Sequence, residues 1–230
     1  MMSKKLVLVS AFVLCMTVLT GTTWADNIPI VNPSFETITG PLGIGCGTGC
    51  AYSYNTIAGW SNIAGGPWQP GSYFSLVPDG SLIGFTNGPS SLMQTLTGIP
   101  VLADSTYTLS VFVGERTDGI SGIYTLSLDT IVGGVTTTLC SVTGNATSIA
   151  RGTFQAEGCS YTSESSVPSG DLYLKLSAVT GQLDVDDVSL TVQPATYVPE
   201  PSSILLLSIG GLFLLSIFMV RRKKELQLPT

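Results

Sequence analysis

Histidine is absent from all 230 residues. That removes the Ser-His-Asp and Cys-His arrangements and the HExxH zinc helix. No G-x-S-x-G elbow occurs either. The glycine cluster Gly43–Gly49 (GIGCGTG) does not fit G-x-G-x-x-G, and no helical pattern follows it, so a phosphate cradle of that kind is excluded. Charge is scarce, at 10% of residues, and bases are scarcer still. Between Asp26 and Val198 only Arg116, Arg151 and Lys175 are basic. Thirteen acids oppose these three bases, a net charge of −10. Such a surface repels phosphate backbones, so nucleic acid is not an expected partner. It keeps an exported domain soluble and suits cations or neutral ligands.

The hydrophobic content, 44%, is concentrated at the two ends. Residues 1–25 carry Lys4 and Lys5, the apolar run Leu6–Leu19 and then Thr23-Trp24-Ala25. This order is that of a secretory signal peptide, with cleavage expected after Ala25. Four cysteines remain beyond it: Cys46, Cys50, Cys140 and Cys159. An even number in an oxidising compartment predicts two disulfides. Of the three possible pairings, the spacing favours Cys46–Cys50, closing a small loop, and Cys140–Cys159. The competing reading, a metal on Cys46 and Cys50, is disfavoured by the lack of histidine and by the compartment.

At the other end, Ile204 to Val220 is a run of seventeen uncharged residues, about 25 Å as a helix, enough for a thin bilayer. Arg221, Arg222, Lys223 and Lys224 follow and are expected on the cytoplasmic side. Pro199-Glu200-Pro201 precedes the run and holds the chain extended there. This tripartite order resembles the PEP-CTERM sorting signal of Gram-negative bacteria. The resemblance implies recognition by an exosortase-type processing enzyme and removal of the helix. It also implies passage from an inner-membrane intermediate to the cell surface or extracellular matrix. The tail Glu225–Thr230 is a little longer than usual.

Between these signals no helical periodicity appears from Asn27 to Gln193. In Thr106–Val113, Tyr107, Leu109, Val111 and Val113 share one face; in Asp171–Ala178, Leu172, Leu174, Leu176 and Ala178 do the same. Further strands are expected over Tyr73–Val77, Leu82–Phe85, Ser91–Thr97, Gly122–Leu128, Val135–Cys140 and Val185–Val192. The fold class is therefore all-β, an antiparallel β-sandwich or jelly roll spanning 26–193. A linker at 194–203, the membrane helix at 204–220 and a basic tail at 221–230 complete the chain. Asn32-Pro33-Ser34-Phe35-Glu36, Ser91-Leu92-Met93-Gln94-Thr95-Leu96 with Tyr107-Thr108-Leu109-Ser110, and Val185-Asp186-Asp187-Val188-Ser189-Leu190 occur in that order. Together they resemble the galactose-binding-like jelly rolls of carbohydrate-binding modules. That resemblance implies a structural calcium on Glu36 and Asp187, completed by backbone carbonyls; the alternative is that these acids form a solvated edge.

Sugar binding needs flat aromatic faces beside a few polar groups. Tyr52, Tyr54, Trp60, Trp68 and Tyr73 crowd one loop-rich stretch. Trp68, in GGPWQPG, is expected on an exposed turn, with Tyr54, Tyr73 and Gln69 as companion ligand-binding residues. Trp60 is expected to anchor a loop on the sandwich. Asp184, Asp186 and Asp187 are the one dense acidic cluster that paired-carboxylate chemistry would use. The expected function is non-catalytic binding of extracellular polysaccharide or surface glycan. A structural or adhesive matrix protein that binds another protein is the alternative, and a carbohydrate-active enzyme a more distant one.

Overall fold

The structure, a computed structural model, describes residues 25–194 and Gly211. The chain divides into two units, Met1–Ala195 and Thr196–Thr230, and of the second only the helical Gly211 is described. The expected signal peptide, the Pro199-Glu200-Pro201 motif, the membrane helix and the Arg221–Lys224 cluster lie outside the described residues. Among the described residues no helix is long and apolar enough to cross a membrane.

The described residues of the first unit form thirteen strands. They are β1 (Asp26–Asn27), β2 (Ile44–Gly47), β3 (Cys50–Tyr52), β4 (Ser61–Asn62), β5 (Gly65–Pro70), β6 (Ile83–Asn87) and β7 (Ser90–Pro100). Then come β8 (Ser105–Glu115), β9 (Ile123–Val132), β10 (Val135–Asn145), β11 (Thr153–Thr162), β12 (Asp171–Ala178) and β13 (Gln182–Pro194). One sheet runs β11-β8-β13-β6-β5-β3-β2, with β1 added on β13; the other runs β10-β9-β12-β7-β4. Their ladders are antiparallel throughout. The expected antiparallel sandwich is thus present.

Period-two alternation makes the core. Tyr107, Leu109, Val111 and Val113 of β8 and Leu172, Leu174, Leu176 and Ala178 of β12 pack in one buried cluster with Leu183, Val185 and Leu190 of β13. Trp60 joins them: its ring lies 5.2 Å from that of Phe35, and its Nε1 donates to Asn32 O at 3.0 Å. Asn32 and Phe35 both take positive φ, and Asn32 Oδ1 accepts from Thr37 N. The Asn-Pro-Ser-Phe-Glu stretch is therefore a side-chain-stapled turn that delivers Phe35 to the core.

Cys140 of β10 is bonded to Cys159 of β11, edge strand to edge strand, joining the two sheets; Cys46 and Cys50 close the β2–β3 hairpin. Two expectations need correcting. Residues 73–77 form no strand; Gly71–Tyr73 is a 3-10 turn. Trp68 lies on no exposed turn: it is in β5, 3% exposed. Gly65, Gly66, Pro67 and Pro70 read as turn residues, yet glycine serves this strand by permitting close backbone approach. A Cβ at Gly66 would overlap the Ser53 carbonyl.

Candidate functional site

A second, smaller apolar cluster gathers Cys50, Trp68, Phe74, Ile83 and Phe85, with Cys46, Tyr52, Tyr73, Val77 and Phe154 packed against it. It sits on the outer face of the larger sheet. Leu183 and Val185 of β13 point into the core, so Gln182 and Asp184, one residue out of phase, point the other way. The ladders then set Phe85, Asp184, Gly114 and Phe154 side by side across β6, β13, β8 and β11. Glycine is required at 114: a Cβ would meet Phe74 and Phe154 at 2.7 Å. Its absence lets both rings lie over the strand, 4.4 Å apart, next to Asp184.

Beside this row opens a cavity of about 280 Å³. Tyr52, Tyr54, Trp68, Tyr73 and Phe85 wall it, and Asn87, Arg116 and Gln182 supply polar groups. Cys46 closes one side, carried there by the disulfide-closed β2–β3 hairpin. The Arg116 guanidinium carbon lies 4.8 Å from the ring centre of Trp68 and 4.5 Å from that of Tyr73. Arg116 also grips both oxygens of Asp118, at 2.9 and 2.6 Å, and donates to Gln182 Oε1 at 2.9 Å.

Gln182 Nε2 donates in turn to Asp184 Oδ1 at 2.6 Å. Asp184 is fully buried, and its Oδ2 has no hydrogen-bond partner among the described residues. Burial pushes its carboxyl up from 3.8 to about 7. The Gln182 hydrogen bond and the Arg116 charge oppose this rise; Asp118 and Glu115 add to it. A carboxyl raised this far can hold its proton near neutral pH; Asp184 itself lies behind the cavity lining, joined to it through Gln182.

The structure brings three of the four expected ligand-binding residues, Tyr54, Trp68 and Tyr73, to one cavity. Gln69 alternates to the other side of β5 and is exposed. Arg116, Gln182, Phe85 and Asn87 were not foreseen. Asp184 was foreseen only as one acid of a cluster; its signal in the sequence is the polar-apolar alternation Gln182-Leu183-Asp184-Val185.

Glu36 and Asp187 supply the hard oxygens that calcium takes. Glu36 Oε1, however, already accepts from Ser81 N at 2.8 Å and Leu82 N at 2.6 Å. Asp187 occupies a bulge of β13 with φ +44°. No three acids, cysteines or histidines converge as a metal group among the described residues. Among the described residues, side chains alone therefore gather no such set of three.

Comparison with solved structures finds the same fold in the apo form of a cyclase from Fischerella sp., at 24% identity and TM-score 0.60, covering 74% of this chain and 98% of that one. The CBM22-1 xylan-binding domain of Paenibacillus barcinonensis Xyn10C aligns at 14% identity and TM-score 0.48, covering 76% of this chain and all of that one. A family 16 carbohydrate binding module aligns at 12% identity and TM-score 0.43, covering 70% and 97%. No curated protein matches. The PEP-CTERM protein-sorting motif matches residues 198–223, in agreement with the sequence reading of export and surface sorting. Residues 26–191 match the family described as HpiC1 cyclase, so the sandwich that carries the aromatic cavity belongs to the HpiC1-like cyclase family.

Proposed function

We propose that this exported protein holds one ring of a neutral ligand, a sugar unit of a surface or matrix glycan, in the aromatic cavity of its larger sheet. The observation that carries the reading is the cavity itself: five aromatic side chains with one amide on each of β6 and β13. Aromatic faces take the apolar side of a sugar ring, and amides take its hydroxyls. At about 280 Å³ the space suits a single ring rather than a stretch of polymer. The sorting motif supports delivery to the surface or matrix, with an exosortase-type enzyme removing the helix at 204–220. The first test is retention on immobilised glycans. Selective retention that Tyr54→Ala weakens supports the reading; no retention on any neutral glycan removes it.

Asp184 favours a second reading, acid catalysis of a ring-forming step, cyclase being the word in the family's description. Its neutral carboxyl gives a proton to an acceptor atom of the ligand; the resulting carboxylate takes one back as the product forms, and the protein is unchanged. Asp184→Asn keeps size and burial but has no proton to give. Turnover lost in that variant, with ligand still bound, supports catalysis. A structural calcium on Glu36 and Asp187 belongs to the proposal only with backbone carbonyls filling its shell. Its test is a calcium-dependent rise in unfolding temperature that disappears in Glu36→Gln.

A further inference from the structure

The two oxygens of Asp184 have different surroundings. Oδ1 accepts the 2.6 Å hydrogen bond from Gln182, whereas Oδ2 is buried without a partner among the described residues. When a donor binds one oxygen of a carboxylic acid, that oxygen serves as the carbonyl and the proton resides on the other. The donor here is an amide, which has an accepting end and a donating end. Arg116 decides which end Asp184 meets. Its Nη1 donates to Gln182 Oε1 at 2.9 Å, and a guanidinium has no acceptor. The amide oxygen must therefore face Arg116, and the amide NH2 must face Asp184.

Neither residue is free to turn. Arg116 holds both oxygens of Asp118 and lies against Trp68 and Tyr73. The Gln182 main chain is pinned on both sides: its N–H donates to Ile120 O, and its carbonyl accepts from Gly122 N, each at 3.2 Å. We infer that Gln182, its amide turned by Arg116, is a positioning residue that keeps the Asp184 proton on Oδ2, the buried oxygen without a partner among the described residues, one residue behind the cavity wall that Gln182 itself lines. This rests on the reading of Asp184 as a proton donor and supplies what that reading lacks, a reason for one oxygen rather than the other. The charged groups near Asp184 are Glu115 of β8 with Arg116 and Asp118 of the turn after it. The neighbouring strands β6 and β11 contribute the uncharged Phe85, Asn87 and Phe154.

The test is a carboxyl-carbon NMR titration of the whole chain in mild detergent, with the Asp184 resonance identified by its loss in Asp184→Asn. Gln182→Met has similar length but no donor. It deprives the Asp184 carboxylate of its one hydrogen bond, so its midpoint is expected to rise by about one pH unit. Arg116→Lys keeps the positive charge but cannot grip Asp118 at two points while fixing an amide. It is expected to raise the midpoint in the same direction, whereas a purely Coulombic role predicts no movement. An unmoved midpoint in Gln182→Met overturns the inference, and an unmoved midpoint in Arg116→Lys removes Arg116 from it. If Gln182→Met loses cooperative unfolding, Gln182→Asn, too short to span Arg116 and Asp184, takes its place with the same expected sign. A wild-type midpoint near 4 sinks the proton-donor reading instead, and the variant shifts still decide whether Gln182 serves Oδ1.

Discussion

The indole N–H of Trp68 points at Cys50 Sγ, 3.3 Å away, with both residues buried. The β2–β3 hairpin is thereby tied to the cavity's central aromatic side chain, and the Cys46–Cys50 disulfide becomes part of the cavity wall. The second disulfide has a different task, joining the two sheets at β10 and β11.

The two disulfides should therefore separate in their effects. Cross-links stabilise mainly by restricting the unfolded chain, and more so across longer loops. Replacing Cys140 and Cys159 with serine, which opens a separation of 19 residues, is expected to cost about 3 kcal/mol in denaturant unfolding. Replacing Cys46 and Cys50, a separation of 4, is expected to cost about 2 kcal/mol. The smaller loss in stability should accompany the larger loss in ligand retention, because only that pair shapes the cavity. Equal retention in both variants would count against the hairpin as a wall.

Gly114→Val tests the row of side chains beneath the cavity. The added Cβ would lie 2.7 Å from the rings of Phe74, which is buried, and Phe154, which is half-buried. Overpacking of this kind costs about 1–3 kcal/mol. Phe74 is also in edge contact with Trp68, their ring centres 5.8 Å apart. The strain should therefore reach the cavity and change Trp68 fluorescence. An unchanged emission spectrum with lowered stability would confine Gly114 to packing.

Much of the sandwich was legible because β8 and β12 alternate strictly, and a half-buried strand leaves no other trace as clear. β11 escaped because Thr153–Thr162 is an edge strand with mixed exposure and no apolar stripe. β5 escaped because its glycines and prolines read as a turn. The same misreading put Trp68 in solvent, although the crowding of Tyr54, Trp68 and Tyr73 in the sequence did mark the cavity. Arg116, Gln182 and Asp184 could not be joined from sequence. Their relation depends on the β8–β13 register and on the loop that pins Gln182, and local patterns carry neither.

The pH dependence of stability should carry the mark of Asp184. Its folded-state value, about 7, lies above the ordinary 3.8, so the folded state binds this proton more tightly than the unfolded chain. The stability that this proton contributes is fully present below about pH 4. It is lost as pH rises through about 7 and is flat beyond that. The difference amounts to at most about 4 kcal/mol. Asp184→Asn should therefore raise the unfolding temperature at pH 8, raise it less at pH 5 and change it little below about pH 4. A variant less stable than wild type at pH 8 would mean that the ionised carboxylate is well solvated in the fold.

Ligand binding is best probed at Tyr54 rather than at Trp68. Trp68 is 3% exposed and touches Tyr73, Phe74 and Phe85, so its truncation would cost about 3–5 kcal/mol and confound lost binding with lost folding. Tyr54 is 55% exposed and meets Tyr52 and Phe85 only edge-on, at 5.8 and 5.7 Å. Its removal should change stability by no more than about 0.5 kcal/mol. An aromatic face lost from the cavity wall should weaken binding of a neutral ring about tenfold, as measured by calorimetry on a retained glycan. Tight binding that survives Tyr54→Ala, together with turnover that vanishes in Asp184→Asn, would shift the balance from sugar recognition to acid catalysis at the same cavity. Asp184 would then be the residue around which the site is built, and the aromatic side chains the enclosure that keeps water from its proton.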